Sequence, residues 1–239
     1  MANIFLSENL DKDYVAFEKA IFKTNKIKYK LESKVKPHLK KYHRLTYIVA
    51  LFETKLEEKW KEDNRFLFLN EILSDLLSNS SLCFIGFYHP SQIIVRRLIE
   101  NFYHHIFYFE HIVEYTLLNL GNNDYIPIVD LKRYLEAHPT IKKTEDLNIK
   151  NFNDDLFSHY QELCRTVHTK GTNFMGLAKN LEEIKPDFDL SEHLEKINKS
   201  VGYIIYLLFK FHRDLIFTQT ERDIIAKAFV KNIRGQLFA

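Results

Sequence analysis

Residues 91–111 read SQIIVRRLIENFYHHIFYFEH. The stretch sets Arg96, Arg97, Glu100, His104, His105 and His111 among apolar residues over about six helical turns. Apolar positions return with the three-to-four residue period of an amphipathic helix. Charged groups are expensive to bury unless they are paired or used. This helix therefore points to an all-α fold and is also the first place to look for chemistry.

The same period runs outward in both directions. Tyr14, Phe17 and Ile21 open a first helix expected to end near Pro37, and Leu45, Ile48, Val49, Phe52 and Leu56 mark a second. A third is expected over 66–87, before His89-Pro90 breaks the chain, with Pro90 suited to the first turn of the next helix. The fourth is expected from 91 to 118, stopped by Gly121-Asn122-Asn123. Beyond it, 129–137 predicts a short helix closed by His138-Pro139, 140–153 a polar loop, 152–167 a helix and 187–217 a long final one. Thr220 and Asp223 have the spacing of a capping box that opens a last short helix. No alternating strand set and no internal repeat is visible. The expectation is a single all-α domain over 1–239, a bundle of six to eight helices with a basic helical segment at 1–64.

Composition agrees with that class. An apolar fraction of 46% is ample for a core, and only 6 Gly and 5 Pro are too few for the recurrent turns of an all-β chain. The net charge is +2, but 11 Lys or Arg stand against 4 Asp or Glu between Asp11 and Arg44. That block suits either nucleic-acid contact or a solvated helix face. Two cysteines, Cys83 and Cys164, are too few for a disulfide framework and read as buried thiols of a reducing compartment. No signal peptide is visible, and the longest apolar run, Val201 to Phe209, is too short to span a bilayer. A cytoplasmic protein with no membrane partner is expected.

Two constellations carry candidate chemistry. At about 100° per residue, Arg97 and His104 fall on nearly one helix face, with Glu100 between them. Arg96 is also within i,i+4 reach of Glu100. A carboxylate beside a histidine raises its pKa and orients its ring, and an arginine on that face can hold a phosphate. The second constellation is 158–168, SHYQELCRTVH, with His159, Tyr160, Arg165 and His168. The plainer alternatives are an ion pair that fastens one helix to its neighbour and a polar cap at a helix end. No Glu-x-x-His, His-Glu-x-x-His, P-loop, Gly-x-Gly-x-x-Gly or Gly-x-Ser-x-Gly motif occurs, so neither a metal nor a cofactor is expected.

These residues resemble the HEPN superfamily of small all-α domains found in toxin–antitoxin, abortive-infection and CRISPR-linked defence systems. Its Arg-x4–6-His hallmark is matched at Arg97–His104 and at Arg133–His138. Arg96-Arg97-Leu-Ile-Glu100 followed by Tyr160-Gln-Glu-Leu-Cys-Arg-Thr-Val-His168 looks like a branch in which an Arg/Glu helix faces a Tyr…Val-His helix. The resemblance spans about 80–218 and implies a HEPN-like core and metal-independent RNA cleavage in a homodimer. Arg165 and His168 have only two residues between them, which departs from the hallmark. On this resemblance the catalytic set is Arg97, Glu100, His104, Arg165 and His168, with Arg96, Tyr160 and Lys170 contacting substrate. A histidine would take the 2′-OH proton, another would protonate the leaving oxygen, and the arginines would stabilise the phosphorane.

Three functions of different class follow. One is a defence or toxin-type endoribonuclease acting on RNA, with a cognate antitoxin or second defence subunit as partner. Another is a non-catalytic interaction module in which the same polar residues form a closed network. A regulator binding nucleic acid through the 11–44 block is a third.

Overall fold

The computed structural model describes residues 9–24, 33–60, 64–121, 126–143, 146–167 and 189–237. Among these residues there is no strand, and eleven α-helices form a bundle. They are α1 (Leu10–Thr24), α2 (Lys36–Lys59), α3 (Leu67–Phe84), α4 (Tyr88–Glu110), α5 (Ile112–Asn119), α6 (Ile128–Ala137), α7 (Pro139–Lys142), α8 (Leu147–Val167), α9 (Leu190–Phe211), α10 (Gln219–Ala226) and α11 (Lys231–Leu237). The all-α class is as expected, but eleven helices exceed the expected six to eight because several helices end early or start where a loop was anticipated.

Helix α4 is the hub and packs on α3, α6, α8 and α9. With α3 it makes an antiparallel hairpin, in which Cys83 meets Ser91, Asp75 meets Arg97 and Phe68 meets His104. Helix α2 lies along α9. One apolar cluster joins Phe17, Phe52, Ile72, Phe102, Leu156 and Ile204, from α1, α2, α3, α4, α8 and α9. Full burial of each such side chain contributes about 1.5–3 kcal/mol.

Local chemistry sets the ends that periodicity misplaced. Helix α3 stops at Phe84 rather than at 87 because Gly86 takes φ 83°, in the left-handed region. Its N–H bonds the carbonyl of Cys83 at 3.3 Å and the Phe87 N–H bonds that of Leu82 at 3.0 Å, which is a Schellman closure. Helix α4 begins at Tyr88, so Pro90 sits inside its first turn. It ends at Glu110 rather than near 118, because His111 leaves helical geometry. The His111 ring stacks on Phe107 at 4.0 Å, and its Nδ1 bonds the Phe107 carbonyl at 2.8 Å. Pro37 belongs to the first turn of α2 rather than to the end of α1.

The expected loop at 140–153 contains helices. His138 caps α7 by accepting from the Thr140 N–H at 3.3 Å, and Asp146 accepts from the Asn148 N–H at 3.0 Å at the start of α8. Asp189 caps α9 through Ser191 and Glu192, and α9 ends at Phe211 rather than at 217. The capping box before α10 is made by Thr218 and Glu221, not by Thr220 and Asp223. Cys83 is buried as expected, whereas Cys164 is only half-buried.

Candidate functional site

The predicted α4 cluster faces two different neighbours. Arg96 and Glu100 are one helical turn apart, and their side chains are 23% and 21% exposed. Arg96 donates to Glu100 Oε1 from Nε at 3.0 Å and from Nη2 at 2.8 Å. The Tyr160 hydroxyl on α8 donates to the same oxygen at 3.1 Å, and the Arg96 guanidinium lies 5.9 Å from the Tyr160 ring centroid. Burial, a hydrogen bond with Cys164 and the nearby Glu100 charge all push the Tyr160 phenol well above its usual range. Two stretches separated by sixty residues thus meet at one carboxylate oxygen.

Arg97 turns the other way, onto α3. Its Nε donates to Asp75 Oδ1 at 3.0 Å and Oδ2 at 3.1 Å, and its Nη2 donates to Oδ1 as well. Asn101 Nδ2 adds a longer bond to Oδ2 at 3.4 Å. The Asp75 side chain is 0% exposed and that of Arg97 is 50% exposed. Burial pushes the Asp75 carboxyl up despite the guanidinium, while the hydrogen bond to Asp75 raises Arg97. Desolvation of the carboxylate is the larger influence on this pair.

His104 does not join either ion pair. Its ring lies against Phe68 at 5.3 Å, and burial lowers its pKa more than Glu100 raises it. The expectation of a histidine made more basic by Glu100 is therefore corrected: desolvation wins. Arg165 is exposed on the last turn of α8, and no hydrogen bond or ion pair among the described residues ties it to Glu100. His168 and Lys170 lie outside the described residues. In the second Arg-to-His match, Arg133 is exposed and pairs with Asp130 at 3.1 Å, whereas buried His138 bonds Glu110 at 2.8 Å. The two ends of that motif look in different directions.

Sequence reading missed the partners that come from afar. Asp75 lies on the buried face of α3 with Ile72, Leu76 and Asn79, and a carboxylate in that apolar stripe was the signal that could have found it. His105 and His212 meet through their Nε2 atoms at 2.9 Å, both fully desolvated between α4 and α9. Ser91, 0% exposed, bonds Asn79 Oδ1 at 2.6 Å and His193 Nε2 at 2.7 Å. His159 Nδ1 bonds Ser200 at 2.6 Å. A small cavity between α4, α8 and α9 is lined by Gln92, His159, Glu162 and His193, and by none of Arg96, Arg97, Glu100, His104 or Tyr160. Among the described residues no three His, Cys, Asp or Glu side chains converge as metal ligands.

The basic N-terminal block is also partly spent. Lys40 pairs with Asp11 at 2.8 Å, Lys34 with Asp189 at 3.2 Å, and Arg44 donates to the Lys227 carbonyl at 2.8 Å. No helix among the described residues is long and apolar enough to cross a membrane. Comparisons with protein families, with curated proteins and with solved structures find no match to this chain.

Proposed function

We propose that this chain is a non-catalytic helical interaction module that assembles with a second copy of itself. The observation that carries the reading is the closure of the charged cluster: Arg96 is bound by Glu100, Glu100 by Tyr160, and Arg97 by a buried Asp75. Groups held this way fasten α4 to α3 and α8 and are not poised to move protons. Five large apolar side chains of the α3–α4 hairpin, Leu67, Leu77, Ile85, Phe87 and Ile93, remain 37–49% exposed. Exposed apolar groups that share one element suit association.

A second reading has one observation in its favour. The Arg96–Glu100 helix lies against the Tyr160 helix, as the HEPN resemblance implies, so a metal-independent ribonuclease of a defence system stays in view. One experiment separates the two. Wild type and His168→Ala are expressed side by side, growth and total RNA are followed, and the purified proteins are sized by light scattering. The module reading expects intact RNA and equal growth in both, with a wild-type dimer dispersed by Phe87→Lys. RNA loss that depends on His168 sinks it in favour of the nuclease, and a wild-type monomer sinks self-association.

A further inference from the structure

The face of the α3–α4 hairpin that carries Arg97 is stepped. Arg97, His104 and Tyr108 lie at i, i+7 and i+11, which at about 100° per residue is one stripe of α4. Phe68 of α3 meets that stripe at His104 and Tyr108, with ring centroids 5.3 and 5.4 Å apart. Tyr115 of α5 packs in turn on Phe68 and on Tyr108, each at 6.3 Å. Helix α5 therefore rests on the base of the hairpin and stands one helix, about 8–10 Å, above it. In the other direction the stripe continues through Arg97 to Ile93, one turn earlier, and both are half exposed. A shelf is left beside the step. From Tyr88 to His104 it is about 24 Å long, twice the length of the eight-residue α5.

Both levels are apolar, and no described element covers them. On α5, Val113, Leu117 and Leu120 fall on the side away from Tyr115 and are 66%, 40% and 67% exposed. The outward side of a surface helix is ordinarily charged. Here the one charged residue of α5, Glu114, lies on the flank, and the Thr116 hydroxyl is spent on the Ile112 carbonyl at 2.8 Å. At the tip of the hairpin, Ile85, Phe87 and Ile93 are 41%, 40% and 49% exposed. Each group of three leaves roughly 200–300 Å² in water, so the two are matched in area.

We propose that a second copy of this chain covers both levels at once. In a two-fold pair with antiparallel hairpins, α5 of each copy lies on the shelf of the other, and its Val113–Leu120 face packs on the tip residues there. This inference rests on the reading of the chain as a self-associating module and names the contact. The occupant is a second copy because ridge and shelf complement each other and lie on one face of one chain. An isologous contact needs such a self-complementary surface. The pair buries roughly 1,000 Å² of apolar surface, which meets the lower bound for a specific interface. Arg97, between the two levels, is already answered by Asp75, and Glu114 stays at the rim.

The test uses the full-length chain, sedimentation equilibrium and cysteine cross-linking. Wild type is expected to dimerise with a Kd of about 1–100 μM. Val113→Lys and Leu117→Lys, at exposed positions, are each expected to raise that Kd at least about tenfold with helix content unchanged. In a Cys164→Ser background, Ile93→Cys combined with Val113→Cys or with Leu117→Cys is expected to give a covalent dimer under mild oxidation, and Ile93→Cys alone none. The rise of α4 from Ile93 to Tyr108, on which α5 rests, is about 22 Å, beyond the ~7 Å that a disulfide spans, so the bond forms between copies. A dimer dispersed by Phe87→Lys but undisturbed by Val113→Lys and Leu117→Lys overturns this inference and leaves self-association standing. Cross-linking of Ile93→Cys alone marks tip-to-tip packing and overturns it too, as does a dimer in which neither double variant cross-links. A wild type that stays monomeric up to about 1 mM overturns both readings.

Discussion

Removing Arg97 tests the electrostatic reading of α4 directly. In Arg97→Ala the buried Asp75 carboxylate keeps Asn101, at 3.4 Å, but loses its guanidinium. Two unit charges about 4 Å apart interact by about 4 kcal/mol at an effective dielectric of about 20. The Arg97 side chain is half exposed, and water screens that attraction by roughly half. The lost hydrogen bonds to a charged, desolvated acceptor add about 1–2 kcal/mol. The expected loss is therefore about 3–4 kcal/mol at pH 7, or about 6–16 °C in Tm for a chain of this size. Burial already holds the Asp75 carboxyl above its usual range, and losing Arg97 raises it further. The folded variant then binds a proton that the unfolded chain does not. Its loss relative to wild type must shrink as pH falls from 7 toward 5. Urea unfolding at both pH values, closed into a double-mutant cycle with Asp75→Asn, measures both quantities. A loss below about 0.5 kcal/mol at pH 7, or one that does not shrink at pH 5, refutes the reasoning and leaves Arg97 free to serve a ligand.

Other outcomes follow from the same structure. Tyr160→Phe removes the α8 bond to Glu100 and is expected to cost about 1 kcal/mol in urea unfolding; an unchanged midpoint counts against α4–α8 fastening through that oxygen. Burial pushes His105 down to about 3 and His43 and His193 to about 4, with buried His212 lowered beside His105. The unfolded chain protonates these groups first, so stability is full above about pH 6.5 and falls as pH drops below it, by up to about 1.4 kcal/mol per pH unit per group. A Tm that stays flat between about pH 6.5 and 4 contradicts the buried neutral histidines. Thr218→Ala breaks the α10 capping box and is expected to cost about 1 kcal/mol, seen as faster hydrogen exchange confined to α10.

What the sequence made legible depended on how far apart the interacting groups lie along it. Arg96 and Glu100 are one turn apart, so their pairing follows from helix geometry once the periodicity is seen. The juxtaposition of α4 with the Tyr160 helix was expected only through the HEPN resemblance, and the Glu100–Tyr160 bond brings those two stretches together. The partner of Arg97 was not legible. Nothing within a few residues supplies a carboxylate except Glu100, and Asp75 lies behind a hairpin whose register depends on Gly86 closing α3 three residues early. That early closure also moved the start of α4 from about Ser91 to Tyr88, with Pro90 in its first turn as expected. The histidines show the same limit from another side. His104 and His105 are adjacent, yet one lies half-buried on Phe68 while the other is sealed against His212, more than a hundred residues away. Spacing put His104 on the face of Glu100 correctly, but desolvation by Phe68 and its surroundings, a property of packing, decided its charge. Density of titratable residues on a helix therefore identified the structural hub of this fold before it identified a reactive site. A buried charge must be answered by some partner, whether that partner is a substrate or another helix.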